Sequence, residues 1–152
     1  MVRNWCLTLP AIRIDWDMPL LSLSLRGFRN LDDVEMELSS GANYLFGPNA
    51  AGKTNLLEAV HYLAIGRSFR RSPDRELLGF DRECLIVAGK DSRGQTGEIR
   101  YDGKEKRILR NGAAVERLSG YLGWLPSWRS CLTISNWFGA RRFCAGVSST
   151  WR

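Results

Sequence analysis

A glycine, four residues and then Gly-Lys-Thr is a spacing with chemistry in it. Residues 46–59 read FGPNAAGKTNLLEA, which sets Gly47, Gly52, Lys53 and Thr54 in the order G-x-x-x-x-G-K-T. Glycines let a chain turn tightly enough for its N–H groups to converge, and converging N–H groups make a nest for an anion. A helix beginning near Lys53 adds the positive end of its dipole. The intervening Pro48, Asn49, Ala50 and Ala51 then supply backbone that wraps phosphate, and Asn55 follows just inside the helix. Lys53 would reach the β- and γ-phosphates of a nucleotide, and the Thr54 hydroxyl would help to hold Mg²⁺. The ligands this pattern predicts are a nucleoside triphosphate and Mg²⁺.

Such a cradle works between a strand and a helix. Asn43 to Phe46 predict a short buried strand ending at Gly47. Residues 53–65 place Leu56, Leu57, Val60, Leu63 and Ala64 on one helical face, and Gly66 is a natural stop. Upstream, Leu21, Leu23 and Leu25 alternate with Ser22, Ser24 and Arg26, the mark of a strand with one buried face. Val34, Met36 and Leu38 alternate with Glu35 and Glu37, a second strand expected to pair with the first. Residues 84–90 and 97–102 predict further strands, and 106–112 a hairpin arm ending at Asn111-Gly112. Residues 113–123 predict a short helix. His61 reads as an ordinary helix residue, with no neighbour that suggests a base or a ligand, and Cys84 as a small core residue. The pattern is α/β, of the P-loop NTPase type.

A chain of 152 residues is long enough for one ordinary domain with a real core. No apolar run approaches the ~18–20 residues that a membrane-spanning helix needs. The first residues lack the apolar stretch and cleavage site of a secretory signal. Cys6, Cys84, Cys131 and Cys144 are scattered, with no CxxC pair, which disfavours a zinc site and a disulfide framework. The composition therefore reads as that of a cytoplasmic protein with no membrane partner. The net charge of +6 invites a nucleic-acid reading, but it is concentrated. Residues 18–116 hold fifteen basic and fourteen acidic side chains, whereas residues 117–152 hold five arginines and no acid. All six tryptophans lie outside 17–123. This break divides the chain into 1–17, 18–126 and 127–152.

Three segments taken in order resemble a known family. SLRGFRNLDDVEMEL, NYLFGPNAAGKTNLLEAVHYLAIGRSFR and RILRNG are similar to the N-terminal head lobe of the RecF family, DNA replication and repair ATPases related to SMC and Rad50 heads. The resemblance spans about residues 18–126. It implies an ABC/SMC-type head lobe with N-terminal β-strands, truncated. It also implies ATP binding, a role in DNA repair, recombination and the SOS response, and single-stranded or gapped DNA as partner. Other recombination proteins and an ATP-dependent homodimer belong to the same expectation. By position, Arg29 and Asn30 match residues that approach bound nucleotide in related heads, and Asn49 lies near the phosphates. Arg67 and Arg70 match an arginine-bearing loop that senses nucleotide or DNA. A solvated basic surface is the plainer reading for Arg29, Arg67, Arg70 and Arg71.

The same resemblance defines what is missing. No Asp or Glu follows Glu116, so the acidic strand and signature segment of such heads are not matched, and the expectation is ATP binding without hydrolysis. Joining the last base of each codon to the first two of the next makes Asn136-Trp137 read Leu, Trp137-Phe138 read Val and Phe143-Cys144 read Leu. These fall in the order of a family segment that continues the head, so residues 127–152 are expected to be an out-of-frame tail. Residues 1–17 are expected to be a spurious or disordered extension, with Met18 as the natural start. Two alternatives stand beside this reading. A transporter's ATPase subunit would carry a Ser-rich cradle and no GRSFR after the helix; a nonfunctional fragment would leave sheet edges and apolar faces uncovered.

Overall fold

The computed structural model describes residues 6–8 and 18–125. The elements run β1 (Cys6–Thr8), β2 (Leu20–Arg26), β3 (Val34–Glu37), β4 (Asn43–Leu45), α1 (Lys53–Ile65), α2 (Asp74–Leu77), β5 (Leu85–Asp91), β6 (Thr96–Tyr101), β7 (Lys106–Arg110), β8 (Ala113–Ala114) and α3 (Leu118–Tyr121). Two sheets result: a pair β1-β4, and a six-stranded antiparallel sheet in the order β3-β2-β5-β6-β7-β8.

Alternation builds the larger sheet. Leu23 and Leu25 of β2 are buried, and they lie opposite Met36 and Val34 of β3 and Gly89 and Val87 of β5. Leu85, Val87 and Ile99 continue the same inner face, and α1 packs across it. Full burial of side chains such as Leu23, Leu63 and Ile99 stabilises by about 1.5–3 kcal/mol each relative to exposure. The helix comes very close to the sheet at Gly89, where a Cβ would lie 2.8 Å from Leu63 Cδ2 and 2.7 Å from the Ser22 carbonyl oxygen. Phe28 meets the Tyr62 ring edge-on at 6.2 Å, and Tyr121 and Trp124 close the far end of the core. Burial, reinforced by the Asp74 carboxylate that accepts its hydroxyl at 2.9 Å, pushes the Tyr62 phenol far above its ordinary range. No helix among the described residues is long and apolar enough to cross a membrane.

Four local expectations change. The buried face of α1 is Leu56, Glu58, Ala59, Tyr62, Leu63 and Ala64, whereas Leu57 and Val60 are half-buried. The helix is covered on two sides, by the sheet and by the chain around Phe28 and Leu77, so burial rotates toward Glu58 and Tyr62. The strand before the cradle is not buried: Tyr44 and Phe46 are exposed and stack on each other at 6.3 Å. Among the described residues β4 pairs with β1, and of its side chains Leu45 packs against the core. Cys84 is exposed, because Leu85 and Val87 point inward and the strand's parity turns residue 84 out. The segment 113–123 begins as β8, since Asn111 (φ 52°) and Gly112 (φ 79°) form a tight primed turn that folds the chain back on β7. Its helix is confined to Leu118–Tyr121. Of residues 1–17 the structure describes β1, which pairs Cys6 with Leu45 and Thr8 with Asn43. The remainder of that segment, and 127–152, lie outside the described residues.

Candidate nucleotide site

The loop between β4 and α1 is held in a conformation that side chains resist. Gly47 has φ 151°, Ala50 φ 65° and Gly52 φ 89°. Gly52 is required twice over: its φ is left-handed, and a Cβ there would lie 2.5 Å from Leu31 Cδ2. Leu31 thus forms the wall behind the loop. The Ala51 N–H donates to the Pro48 carbonyl at 3.3 Å, which closes the turn. Gly52 stands at the N-cap of α1 with no side-chain cap, so the first amides of the helix face the loop rather than a capping oxygen. Lys53 Nζ donates to the Gly47 carbonyl at 2.8 Å and to the Pro48 carbonyl at 2.7 Å. These bonds curl the ammonium into the loop, beside the uncapped amides. Lys53 and the uncapped amides at the start of α1 are the donors that an anion could meet here. Pro48, Asn49, Ala50 and Thr54 are exposed, and Ala51 is half-buried.

The residues predicted around the cradle separate into two groups. Asn55 Nδ2 donates to Asn30 Oδ1 at 2.6 Å, which ties the turn after β2 to the first turn of α1. Arg29, with φ 50°, turns elsewhere. Its Nε donates to Glu58 Oε2 at 2.7 Å and its Nη2 to Glu58 Oε1 at 2.9 Å and Ser72 Oγ at 3.1 Å. Glu58 is fully buried, and the Arg29 side chain is 19% exposed. Arg70 approaches the same carboxylate at 3.5 Å and keeps an exposed guanidinium. Arg67 and Arg71 are exposed. His61 is more than a plain helix residue: its Nδ1–H donates to the Arg67 carbonyl at 3.0 Å, and its ring meets Phe69 edge-on.

Glu58, Ser68 and Ser72 were not expected from the sequence. The Ser68 hydroxyl donates to Glu58 Oε1 and accepts the Arg70 N–H at 3.0 Å. The signal was available: a carboxylate in the middle of the apolar run NLLEAV must find a cation if that run is buried. Among the described residues no group of three or more His, Cys, Asp or Glu side chains is placed to hold a metal ion.

A family model for the AAA domain matches residues 22–124, which takes in the cradle and all of the six-stranded sheet but the first two residues of β2. The chain belongs to the AAA domain family. It is similar to the DNA replication and repair protein RecF of Chlamydia trachomatis, with 41% identity over 112 residues, 72% of this chain and 31% of that protein. RecF of an Exiguobacterium species is 37% identical over 110 residues. The chain thus spans about a third of the length of these curated relatives. A solved structure of the recombination mediator protein RecF with ATP superposes with a TM-score of 0.66 at 37% identity, over 70% of this chain and 31% of that one. A structure from a study of ATP-driven dimerization and DNA-stimulated activation of SMC ATPases matches at TM-score 0.57 and 23% identity, which extends the likeness of fold to SMC heads. The fold is that of a P-loop ATPase head, in part.

Proposed function

We propose that this chain is the ATP-binding N-terminal lobe of a RecF-like DNA replication and repair protein. The observation that carries the reading is the position of Lys53, whose ammonium lies between the Gly47 and Pro48 carbonyls next to the uncapped start of α1. Gly47 to Thr54 would hold the phosphates, with the backbone N–H groups of Asn49, Ala50 and Gly52 to Asn55 and the Lys53 ammonium as donors, and the Thr54 hydroxyl would meet Mg²⁺. Asn30 supports the site through Asn55. The metal, when bound, supplies charge neutralisation between the β- and γ-phosphates. Binding without turnover is the expected behaviour, since no Asp or Glu follows Glu116 in this sequence to act as the acidic strand of such heads.

The partners are read from the resemblance to the RecF family. Single-stranded or gapped DNA, other recombination proteins and a second, ATP-bound copy are the partners proposed for the longer protein, in recombination and the SOS response in the cytoplasm. Arg67 and Arg70 offer exposed guanidinium groups for a phosphate backbone, a contact that would weaken steeply with salt. Equilibrium binding of Mg·ATP to the 152-residue chain, compared with Lys53→Ala, tests the reading. Removing a charge-assisted donor should weaken binding by about 10- to 100-fold. Equal affinity in the two proteins would overturn it.

A further inference from the structure

Four polar contacts converge on Glu58, where α1 meets the chain that follows it. Glu58 takes both donors of the Arg29 fork, the Ser68 hydroxyl and, at 3.5 Å, one Arg70 nitrogen. Ser68 in turn accepts the Arg70 N–H at 3.0 Å, and its carbonyl accepts the Arg71 N–H at 3.2 Å. One turn further along α1, His61 holds the Arg67 carbonyl and the Phe69 ring. The segment 67–72 is therefore attached to one face of the cradle helix at two points. Thr54, Glu58 and His61 share that face, at spacings of four and three residues. A helix rises about 1.5 Å per residue, so Thr54 and Glu58 are about 6 Å apart along a rigid rod.

We infer that Glu58, acting through Ser68, is a positioning residue that fixes the arginine-bearing segment 67–72 to the cradle helix, so that nucleotide at one end of this face and the order of the segment are coupled. The inference rests on the nucleotide-binding reading for the ligand and on the hydrogen bonds of Glu58, Ser68 and His61 for the tether. It also separates two arginines of different duty. Arg29 spends its fork on Glu58 and Ser72 and anchors the device. Arg70 keeps its side chain 37% exposed, with one long contact to Glu58 and its guanidinium over the Phe69 ring at 5.7 Å, so it is the group whose placement the tether sets. Coupling of this kind is reciprocal: an ion that orders the cradle tightens the segment, and a segment held in place favours the ion.

Trypsin reads the tether directly, because it cleaves after Arg67, Arg70 and Arg71 only when the segment leaves α1. The initial cleavage rate at these sites is measured on the full 152-residue chain by mass spectrometry, with and without Mg·ATP, and cleavage after Arg100 and Arg107 serves as the internal control. Ser68→Ala removes two hydrogen bonds while Arg29 still neutralises Glu58, and it should raise cleavage at 67–71 about 10- to 30-fold with the control sites unchanged. Ser68→Thr keeps the hydroxyl and should restore the wild-type rate; Glu58→Gln should behave as Ser68→Ala. Mg·ATP should slow cleavage at 67–71 in the wild type and in Ser68→Thr, and not in Ser68→Ala. Cleavage of Ser68→Ala at the wild-type rate, or an equal rise at all sites, overturns the tether. Equal protection by Mg·ATP in wild type and Ser68→Ala overturns the coupling. If the wild type binds no ATP, the nucleotide reading and the coupling fall together, and the rates without nucleotide still decide the tether.

Discussion

Replacing Arg29 with alanine should cost far more than its place on a turn after β2 suggests. Glu58 is fully buried, and Arg29 supplies two of its close contacts, at 2.7 and 2.9 Å. Removing one partner of a buried ion pair typically costs about 3–5 kcal/mol, because the other charge stays behind without compensation. Here the Ser68 hydroxyl and the more distant Arg70 remain, so the lower end, about 3 kcal/mol, applies. Arg29 adopts φ 50°, but arginine and alanine pay the same penalty there and it cancels. A domain of this size is stable by about 5–15 kcal/mol. With a urea slope of about 1.5 kcal/mol per molar, the unfolding midpoint should fall by about 2 M at unchanged slope. The double variant Arg29→Met with Glu58→Met removes both charges and should recover at least half of the loss, since apolar side chains of similar volume replace buried pairs well. Urea melts followed by circular dichroism decide the matter. A shift below about 0.5 M for Arg29→Ala would mean that Glu58 is solvated in the folded protein, and the account of its burial would be wrong.

Two further outcomes can be checked. Gly52→Ala places a Cβ 2.5 Å from Leu31 Cδ2 at φ 89°, so it should tilt the loop and weaken Mg·ATP binding about tenfold or more, with a stability loss of about 1–2 kcal/mol; equilibrium binding equal to wild type would refute the wall formed by Leu31. Burial works to raise the Asp91 carboxyl, but the Arg93 guanidinium at 2.9 Å and the Gln95 and Arg93 N–H groups outweigh it and hold it below the usual carboxylate range. A depressed folded value means that its contribution is complete above the ordinary carboxylate range near 4 and is lost as pH falls through the folded value. The stability difference between wild type and Asp91→Asn should therefore be constant from about pH 5 to 7 and shrink as pH falls below about 4, in urea melts across that window.

What could be read without coordinates was whatever a short-range pattern determines. The alternation of Leu23 and Leu25 with serines specified β2 and its buried face, and the Asn111-Gly112 pair specified a hairpin turn. Helix α1 runs over the same residues, Lys53 to Ile65, that the periodicity and Gly66 mark out. Burial against a second layer was not legible in the same way. The apolar pattern of α1 points to the sheet, but Phe28 and Leu77 cover another side of it, and only the tertiary fold decides that Glu58 and Tyr62 lie inside while Leu57 lies half out. Cys84 shows the converse limit, since composition favours burial and strand parity overrules it.

The cradle itself illustrates why motif and network differ in legibility. Gly47, Gly52, Lys53 and Thr54 lie within eight consecutive positions, so their geometry follows from one loop and one helix start. The Glu58 cluster draws on Arg29, Ser68, Arg70 and Ser72, and the Arg29–Glu58 pair alone spans 29 residues of separation. No spacing rule connects residues that far apart; a physical rule does. A carboxylate inside an apolar helical run must either leave the core or bring a cation to it, and the arginines in FRN and GRSFR are the cations nearby. The two segments FRN and GRSFR thus meet at Glu58, on the helix that begins at the cradle.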